Sequence, residues 1–429
     1  MEKHGFSFSG AGGESTGGRD RKTGRRDFLM GRDYEEIYDR SYALVDLDII
    51  RENVRNARKL LPKGCRFCSV LKADAYGHGA PAVASAIDDL SDFYAVATPE
   101  EGALLRAHGF QKPILVLGAV SDRAYPMLLE RRIRPAVFLL SQAKALSKAA
   151  GEAGCTALLH LAVDTGMGRI GIASEEEGSA ELALSIAALP NLKVEGIFTH
   201  FSTADETDKE FSFLQRERFR RFCEKLSERG LSIPIRHCAN SAGIIASIGT
   251  DFDMVRDGIA LYGIYPSRAA ESARLPLKAA LSWFAKVSAV RRLPASSPIS
   301  YGRTFTTARE TELAVIPLGY GDGLPRLLSN RAEVLIRGRR CPILGRICMD
   351  QFMADVTGLG VRRGDRVTLL GRDGEEEIGL YDWERLGAFP YEVLCGLGKR
   401  VPRLYLWGGE LAGRKDCFSE EYRDFSVCF

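Results

Sequence analysis

The chain has 429 residues, of which 45% are hydrophobic and 27% charged, so a sizeable core can form and wholly disordered, collagen-like and coiled-coil readings are excluded. At about 150 residues per domain, the length suggests roughly two to three domains. The 59 Lys and Arg nearly balance the 56 Asp and Glu, leaving a net charge of +3, which argues against a dedicated nucleic-acid partner. No apolar run reaches the roughly 18 residues of a membrane span, so no membrane partner is expected.

Residues 1–40 stand apart. Residues 1–32 are Gly- and Ser-rich and without periodicity, which predicts a disordered extension over 1–40. GRRDFL resembles a twin-arginine export signal, but MGRDYEEIYDR follows where an apolar stretch of about 7–15 residues should stand. An extension, or an early gene start with Met30 as the true initiator, is therefore favoured over export. Ten cysteines in a long chain without a credible signal peptide predict reduced thiols in a cytoplasm. Cys65 and Cys68 form the only close pair and sit in the apolar run CRFCSVL. Strand or core positions are expected there, with no metal site.

From residue 41 short apolar runs alternate with amphipathic stretches. An opening strand at 42–48 precedes a helix, IIRENVRNARKLL. Strand-like runs follow at 66–72, 93–98, 113–118, 134–140, 157–164, 194–200 and 234–239, and MVRDGIALYGI makes an eighth. Between many of them lie helical stretches such as TPEEGALLRAHG and TDKEFSFLQRERFRRFCEKLSERG, the latter acidic early and basic late as a helix dipole prefers. Continuous apolar strands alternating with helices predict a parallel sheet, and eight such units predict an α/β fold of the (β/α)8 TIM-barrel type over 41–280. A doubly wound sheet is the alternative, but no G-x-G-x-x-G follows the first strand. After about residue 280 the period becomes two, predicting a mostly β C-terminal domain over 281–410 with a hairpin at VLIRGRRCPIL. The opening strand could pack on that domain. Residues 411–429 are polar and read as a loose tail.

Barrel chemistry gathers after the C-terminal ends of the strands. Lys72 ends RFCSVLK. The run Asp164–Arg169 follows ALLHLAV. His200 ends GIFTH. Asn240 and Ser241 end RHCANS, and Arg256, Gly258 and Ile259 open the last unit. Each alone has an ordinary reading: a solvated lysine, a structural histidine, a loop arginine, a helix N-cap. Together they are more specific. Ser241 with the amides of Gly258 and Ile259 suits a phosphate, and an enclosed lysine can form an imine. Phosphate plus imine lysine points to pyridoxal 5'-phosphate, although a sugar-phosphate aldolase fits both features as well.

The chain from about 41 to 407 resembles the bacterial alanine racemase family. The resemblance rests on KADAYGHG (72–79), DTGMGRIG (164–171), THFSTAD (199–205), ANSA (239–242), MVRDGIALYG (254–263), SYGRTF (300–305), GYGDG (319–323), GRICMDQ (345–351) and RVPR (400–403), in order and in spacing. It implies that Lys72 holds pyridoxal 5'-phosphate and serves as one base, with Tyr301 of a partner subunit as the second base on the opposite substrate face. Two bases suit racemisation, which removes the α-proton from one face and returns it on the other. Tyr76, Asn240, Ser241, Gly258 and Ile259 are implied for the phosphate and cofactor, Arg256 for the pyridine nitrogen, and Arg169 for the phenolic oxygen and substrate carboxylate. His200 is implied as a link from Arg256 towards Tyr301, while Met349, Asp350 and Tyr320 approach the substrate and its entrance. The implied assembly is a homodimer with shared sites, interconverting L- and D-alanine to supply D-alanine for peptidoglycan.

An arginine at the pyridine nitrogen does not readily give up its proton, which disfavours transamination and favours simple reprotonation. A fold-related decarboxylase is expected to carry an acid there, so Arg256 discriminates. A same-fold racemase of serine, lysine or broad specificity would carry these residues too. A non-enzymatic cofactor carrier needs no second base, so Tyr301 argues against it. Two departures stand out. Many family members carry a carbamylated lysine where this chain has Ala162, so Arg169 must be held by a bound anion or another side chain. Some carry a phosphate-contacting tyrosine where this chain has Lys399, which could pair with the phosphate or point away.

Overall fold

The computed structural model describes residues 38–271 and 274–416. The reading of residues 1–37 as an extension, with the export-like GRRDFL and the Met30 start, lies outside the described residues, as does the tail from 417. Asp39 and Arg40 already join the fold: the Arg40 carbonyl accepts from the Lys286 amide at 3.1 Å and its guanidinium meets Asp322 at 2.6 Å.

Strand β1 (Ser41–Asp46) leads into the helix Leu47–Arg58, whose start is capped by the Asp46 carboxylate accepting from the Ile49 amide at 3.0 Å. The barrel strands follow: β2 (Arg66–Val70), β3 (Phe93–Val96), β4 (Ile114–Val116), β5 (Ile133–Val137) and β6 (Ala157–Asp164). A two-residue strand β7 (Ile172–Ala173) flanks β6 before β8 (Leu192–Phe198), β9 (Ile235–His237) and β10 (Met254–Asp257). Their order is β10-β2-β3-β4-β5-β6-β8-β9, each pair parallel. The ring is almost closed, because the Asp253 amide donates to the Arg236 carbonyl at 3.0 Å and the Arg256 amide to the Ala239 carbonyl at 2.9 Å. The eight predicted units are therefore the barrel. Six of the strands are shorter than the apolar runs, which continue into the following loop or turn; β6 fills its run and β8 matches its run in length, and MVRDGIALYGI leaves β10 for a 3-10 turn over Ile259–Tyr262.

The opening strand does not belong to the barrel. β1 lies between β11 (Leu281–Lys286), antiparallel, and Arg403–Trp407, parallel, in the C-terminal domain's sheet. Its middle, Tyr42–Val45, reads as a continuous apolar run because both faces are covered, and all but its last residue is buried. The VLIRGRRCPIL hairpin forms from Glu333–Ile336 and Arg339–Pro342. The tail begins later than its polarity suggests: Glu410–Lys415 pairs antiparallel with Arg403–Trp407. The turn is made by Gly408 and Gly409, both at positive φ (61° and 82°), the backbone a two-residue hairpin demands. Cys68 is buried in β2 and Cys65 just precedes it; burial pushes both thiols up, to about 12 and about 11.

Candidate active site

Lys72 stands two residues past the end of β2, and the chain after it turns the wrong way. Ala73, Asp74, Ala75 and Tyr76 all have φ of 52–55°, a left-handed turn costing about 1–2 kcal/mol per residue. The surroundings hold it. The Ala73 amide donates to the Glu101 carboxylate at 2.6 Å, and the other oxygen of that carboxylate accepts from the Ala97 amide at 2.8 Å. Asp74 accepts from the Ala80 amide at 2.9 Å and pairs with Lys415 at 2.6 Å. The late hairpin strand thus braces the loop that carries the lysine. The left-handed turn leaves the Lys72 amine 5.9 Å from the centre of the Tyr76 ring.

A cavity at this end of the barrel is lined by Lys72, Tyr76, His200, Asn240, Ser241, Arg256, Gly258 and Ile259, eight of the residues the sequence singles out. Met167 and Asp205, from the DTGMGRIG and THFSTAD runs, also line it, as does Tyr391, which no quoted motif marks. Burial first, then the charges of Arg169 and Arg256, hold the Lys72 amine below its usual pKa. One side of the cavity is a cradle. A Cβ at Gly258 would lie 2.8 Å from the Tyr76 hydroxyl, so a bare backbone is needed there. The Ser241 hydroxyl accepts from the Gly258 amide at 2.9 Å and donates to Asp257 at 2.7 Å. Asp257 is fully buried, and burial raises its carboxyl to about 6. The Asn240 carboxamide accepts from the Gly243 amide at 2.9 Å, capping the helix Ser241–Ala246 as well as lining the cavity.

Arg256 is buried and richly bonded. Its guanidinium donates to the carbonyls of Thr199 (2.8 Å), His237 (3.1 Å) and Cys238 (3.1 Å), to His237 Nδ1 (2.8 Å) and to His200 Nδ1 (3.3 Å). Burial lowers its pKa to about 10, so it stays a cation at neutral pH. Burial and the neighbouring Arg256, Arg169 and Lys72 charges keep His200 well below its usual value. The link from His200 to Arg256 is thus present; its continuation to Tyr301 is not made within one chain. Arg169 is exposed and has no hydrogen bond or ion pair among the described residues. Among the described residues no side chain bonds Arg169 in place of the missing lysine, and Ala162 packs against Ala136 and Phe198 in an apolar cluster. Lys399 is exposed and does not line the cavity.

The remaining predicted residues sit elsewhere, on the C-terminal domain. Tyr301, Met349 and Asp350 line a second depression with Ser300, Cys348, Gln351 and Met353. Tyr301 is 69% exposed, Met349 53% and Tyr320 42%. The two loops of this patch are tied together: the amides of Tyr320 and Gly321 donate to the carbonyls of Cys348 and Met349 at 3.0 and 2.9 Å. Buried Asp322 pairs with Arg40 (2.6 Å) and Arg400 (3.2 Å), and Arg400 also holds Asp350 at 2.6 Å. The barrel end can cradle an anion beside an amine fit for imine formation; the patch presents a phenol and an apolar side chain outward.

The family description "Alanine racemase, N-terminal domain" matches residues 45–266, and "Alanine racemase, C-terminal domain" matches residues 280–405. A protein of Symbiobacterium thermophilum named alanine racemase is 45% identical over 377 residues, covering 87% of this chain and 98% of that protein. Among solved structures, alanine racemase of Clostridium difficile 630 superposes with a TM-score of 0.84 at 37% identity, covering 89% of this chain and 99% of that one. That of Bartonella henselae, described with covalently bound pyridoxal phosphate, gives 0.77 at 28% identity, covering 86% of this chain and all of that one (100%). With both family domains present in order and identity of this extent, the chain belongs to the alanine racemase family.

Proposed function

We propose that this protein is a pyridoxal 5'-phosphate-dependent alanine racemase, interconverting L- and D-alanine with two bases. The observation that carries the reading is the pairing of a half-buried lysine of lowered pKa with a buried arginine, Arg256, at the same cavity. The residues fit the cofactor: the cradle at Tyr76, Ser241 and Gly258 suits its phosphate, and Lys72 suits its aldehyde carbon. When bound, pyridoxal phosphate supplies an electron sink for the negative charge left at the substrate's α-carbon. Lys72 would hold the cofactor through its side-chain amine and, as a neutral amine, would take or return the α-proton on one face. Arg256, whose two Nη groups are taken up by protein acceptors, would offer its Nε–H to the ring nitrogen and, as a donor, would not protonate it, which favours return of the proton to the α-carbon. Arg169 meets the substrate carboxylate, and its freedom within the single chain suits a residue ordered by that anion.

The partner subunit's Tyr301 serves the opposite face, with Met349 and Asp350 beside it. A homodimer accounts for Tyr301 and Met349 lying exposed on a braced surface rather than lining the cavity that holds Lys72. The product D-alanine suits peptidoglycan synthesis in the cytoplasm; no helix among the described residues is long and apolar enough to cross a membrane. Incubation of L-alanine in deuterated water should place deuterium at the α-carbon of both enantiomers. Release of carbon dioxide instead would establish the decarboxylase reading.

A further inference from the structure

Arg256 has five hydrogen-bond partners and no carboxylate among them. The negative charge lies at the end of a chain of side chains running through the barrel interior. Arg256 Nη1 meets His237 Nδ1 at 2.8 Å; His237 Nε2 meets His160 Nδ1 at 2.9 Å; His160 Nε2 meets the Glu195 carboxylate at 3.4 Å. Arg134 closes the far end, its Nε donating to Glu195 at 2.9 Å. Both imidazoles are fully buried, and the racemisation chemistry above uses neither.

The chemistry of the two ends fixes the direction of the whole chain. A guanidinium can only donate, so His237 Nδ1 carries a lone pair and its proton sits on Nε2. That proton points at His160, so His160 Nδ1 is also an acceptor and its proton sits on Nε2. The carboxylate, which can only accept when ionised, receives it. Any other tautomer sets N–H against N–H somewhere along the line. Burial alone would push the Glu195 carboxyl up, but the hydrogen bonds from His160 and Arg134 carry it down to about 2. Burial keeps His160 and His237 below the usual histidine range, hence neutral.

The backbone is shaped for this chain. The β6–β8 ladder slips between Leu159 and His160: Leu159 faces Val194 and His160 faces Gly196, so Glu195 is the extra residue of a bulge. Bulges of this kind re-aim a side chain. At Gly196 a Cβ would lie 2.5 Å from the His160 ring, so only glycine leaves that imidazole its place. Phe198 stacks on His237 with ring centres 5.2 Å apart and an angle of 17°, fixing its plane.

We propose that Glu195, acting through His160 and His237, is the positioning residue for Arg256: a one-way chain of donated hydrogen bonds fixes the direction in which the guanidinium offers its protons at the cofactor site. The proposal rests on the racemase reading only for what Arg256 faces; the chain of tautomers stands on this protein's own residues. Nitrogen-15 NMR of histidine-labelled protein at neutral pH should show His160 and His237 each neutral and protonated on Nε2. A proton on Nδ1 of either ring, or a charged ring, overturns the proposal. Glu195→Gln keeps one oxygen to accept from His160 and should retain the tautomers, with kcat within about twofold. Glu195→Leu should scramble them and lower kcat about 10–100-fold, the usual cost of removing an outer partner, with KM for alanine little changed. A folded Glu195→Leu protein with native tautomers and native kcat overturns the proposal as well. Should Glu195→Leu fail to fold, the tautomers of the native and Glu195→Gln proteins decide the matter. Failure of the native protein to racemise alanine would count against the racemase reading, and the tautomers would still report on the chain.

Discussion

The barrel end and the C-terminal patch are supported in opposite ways. At the barrel end Lys72 stands on a strained turn held by Glu101 and Asp74, and both Nη groups of Arg256 are bonded within the protein. The patch is braced from behind by Asp322, Arg400 and Asp350, yet its front presents Tyr301 and Met349 outward. On the proposed reading, a preorganised pocket and a preorganised exposed surface are the two parts of a site shared by two chains. The contrast between them is that one region encloses its polar groups and the other presents them outward.

The largest effect should come from separating the halves. Lys72→Ala and Tyr301→Phe should each lower racemisation by about 10³-fold or more, and Lys72→Ala should remove the imine absorbance. Mixing the two variants should restore about a quarter of native activity, since about half the dimers are mixed and each carries one intact site. No rescue, with mixed dimers demonstrated, would place both halves of a site in one chain. A smaller loss tests the cradle. Gly258→Ala sets a methyl group against the Tyr76 hydroxyl and should weaken cofactor binding about 10–100-fold, measured by fluorescence titration, with melting of the apoprotein little altered. Unchanged affinity would move the phosphate elsewhere.

The smallest effect separates the barrel end from the patch by pH. Asp257 holds its proton more tightly folded, at about 6, than unfolded, at about 4. Its contribution to stability is therefore full below about pH 4 and is lost as pH rises through 6. Asp257→Asn does not ionise, so it should melt a few degrees above the native chain at pH 8, on the order of 1–3 kcal/mol, and match it near pH 4. Equal melting at both values would show that the carboxyl is relieved by a contact absent from the folded single chain.

Much of the barrel end is legible in the chain because its residues sit at fixed steps after apolar strands. Lys72, His200, Ser241, Arg256 and Gly258 are readable in this way, and the structure gathers them round one cavity. His160, His237 and Glu195 are not. They sit inside apolar strands, where a polar residue looks like an exception to a buried pattern, and a bulge that re-aims one side chain leaves no mark on periodicity. Tyr391 escapes a reading of local pattern because a helix far along the chain, Pro390–Cys395, brings it to the cavity. The sequence leaves the sheet of β1 open for the same reason: an apolar run declares burial and is silent on its neighbours.

The sequence by itself determined the alternation of strands and helices, the switch to a period of two after the barrel, and the order of the motifs, because each depends on residues close together in the chain. The tertiary structure alone decided which sheet β1 joins, that Glu410–Lys415 is a strand bracing the lysine loop, and that a guanidinium, two imidazoles and a carboxylate form one directed line. Those outcomes depend on contacts between residues distant along the chain, and hydrogen-bond direction is fixed only when every donor has met its acceptor.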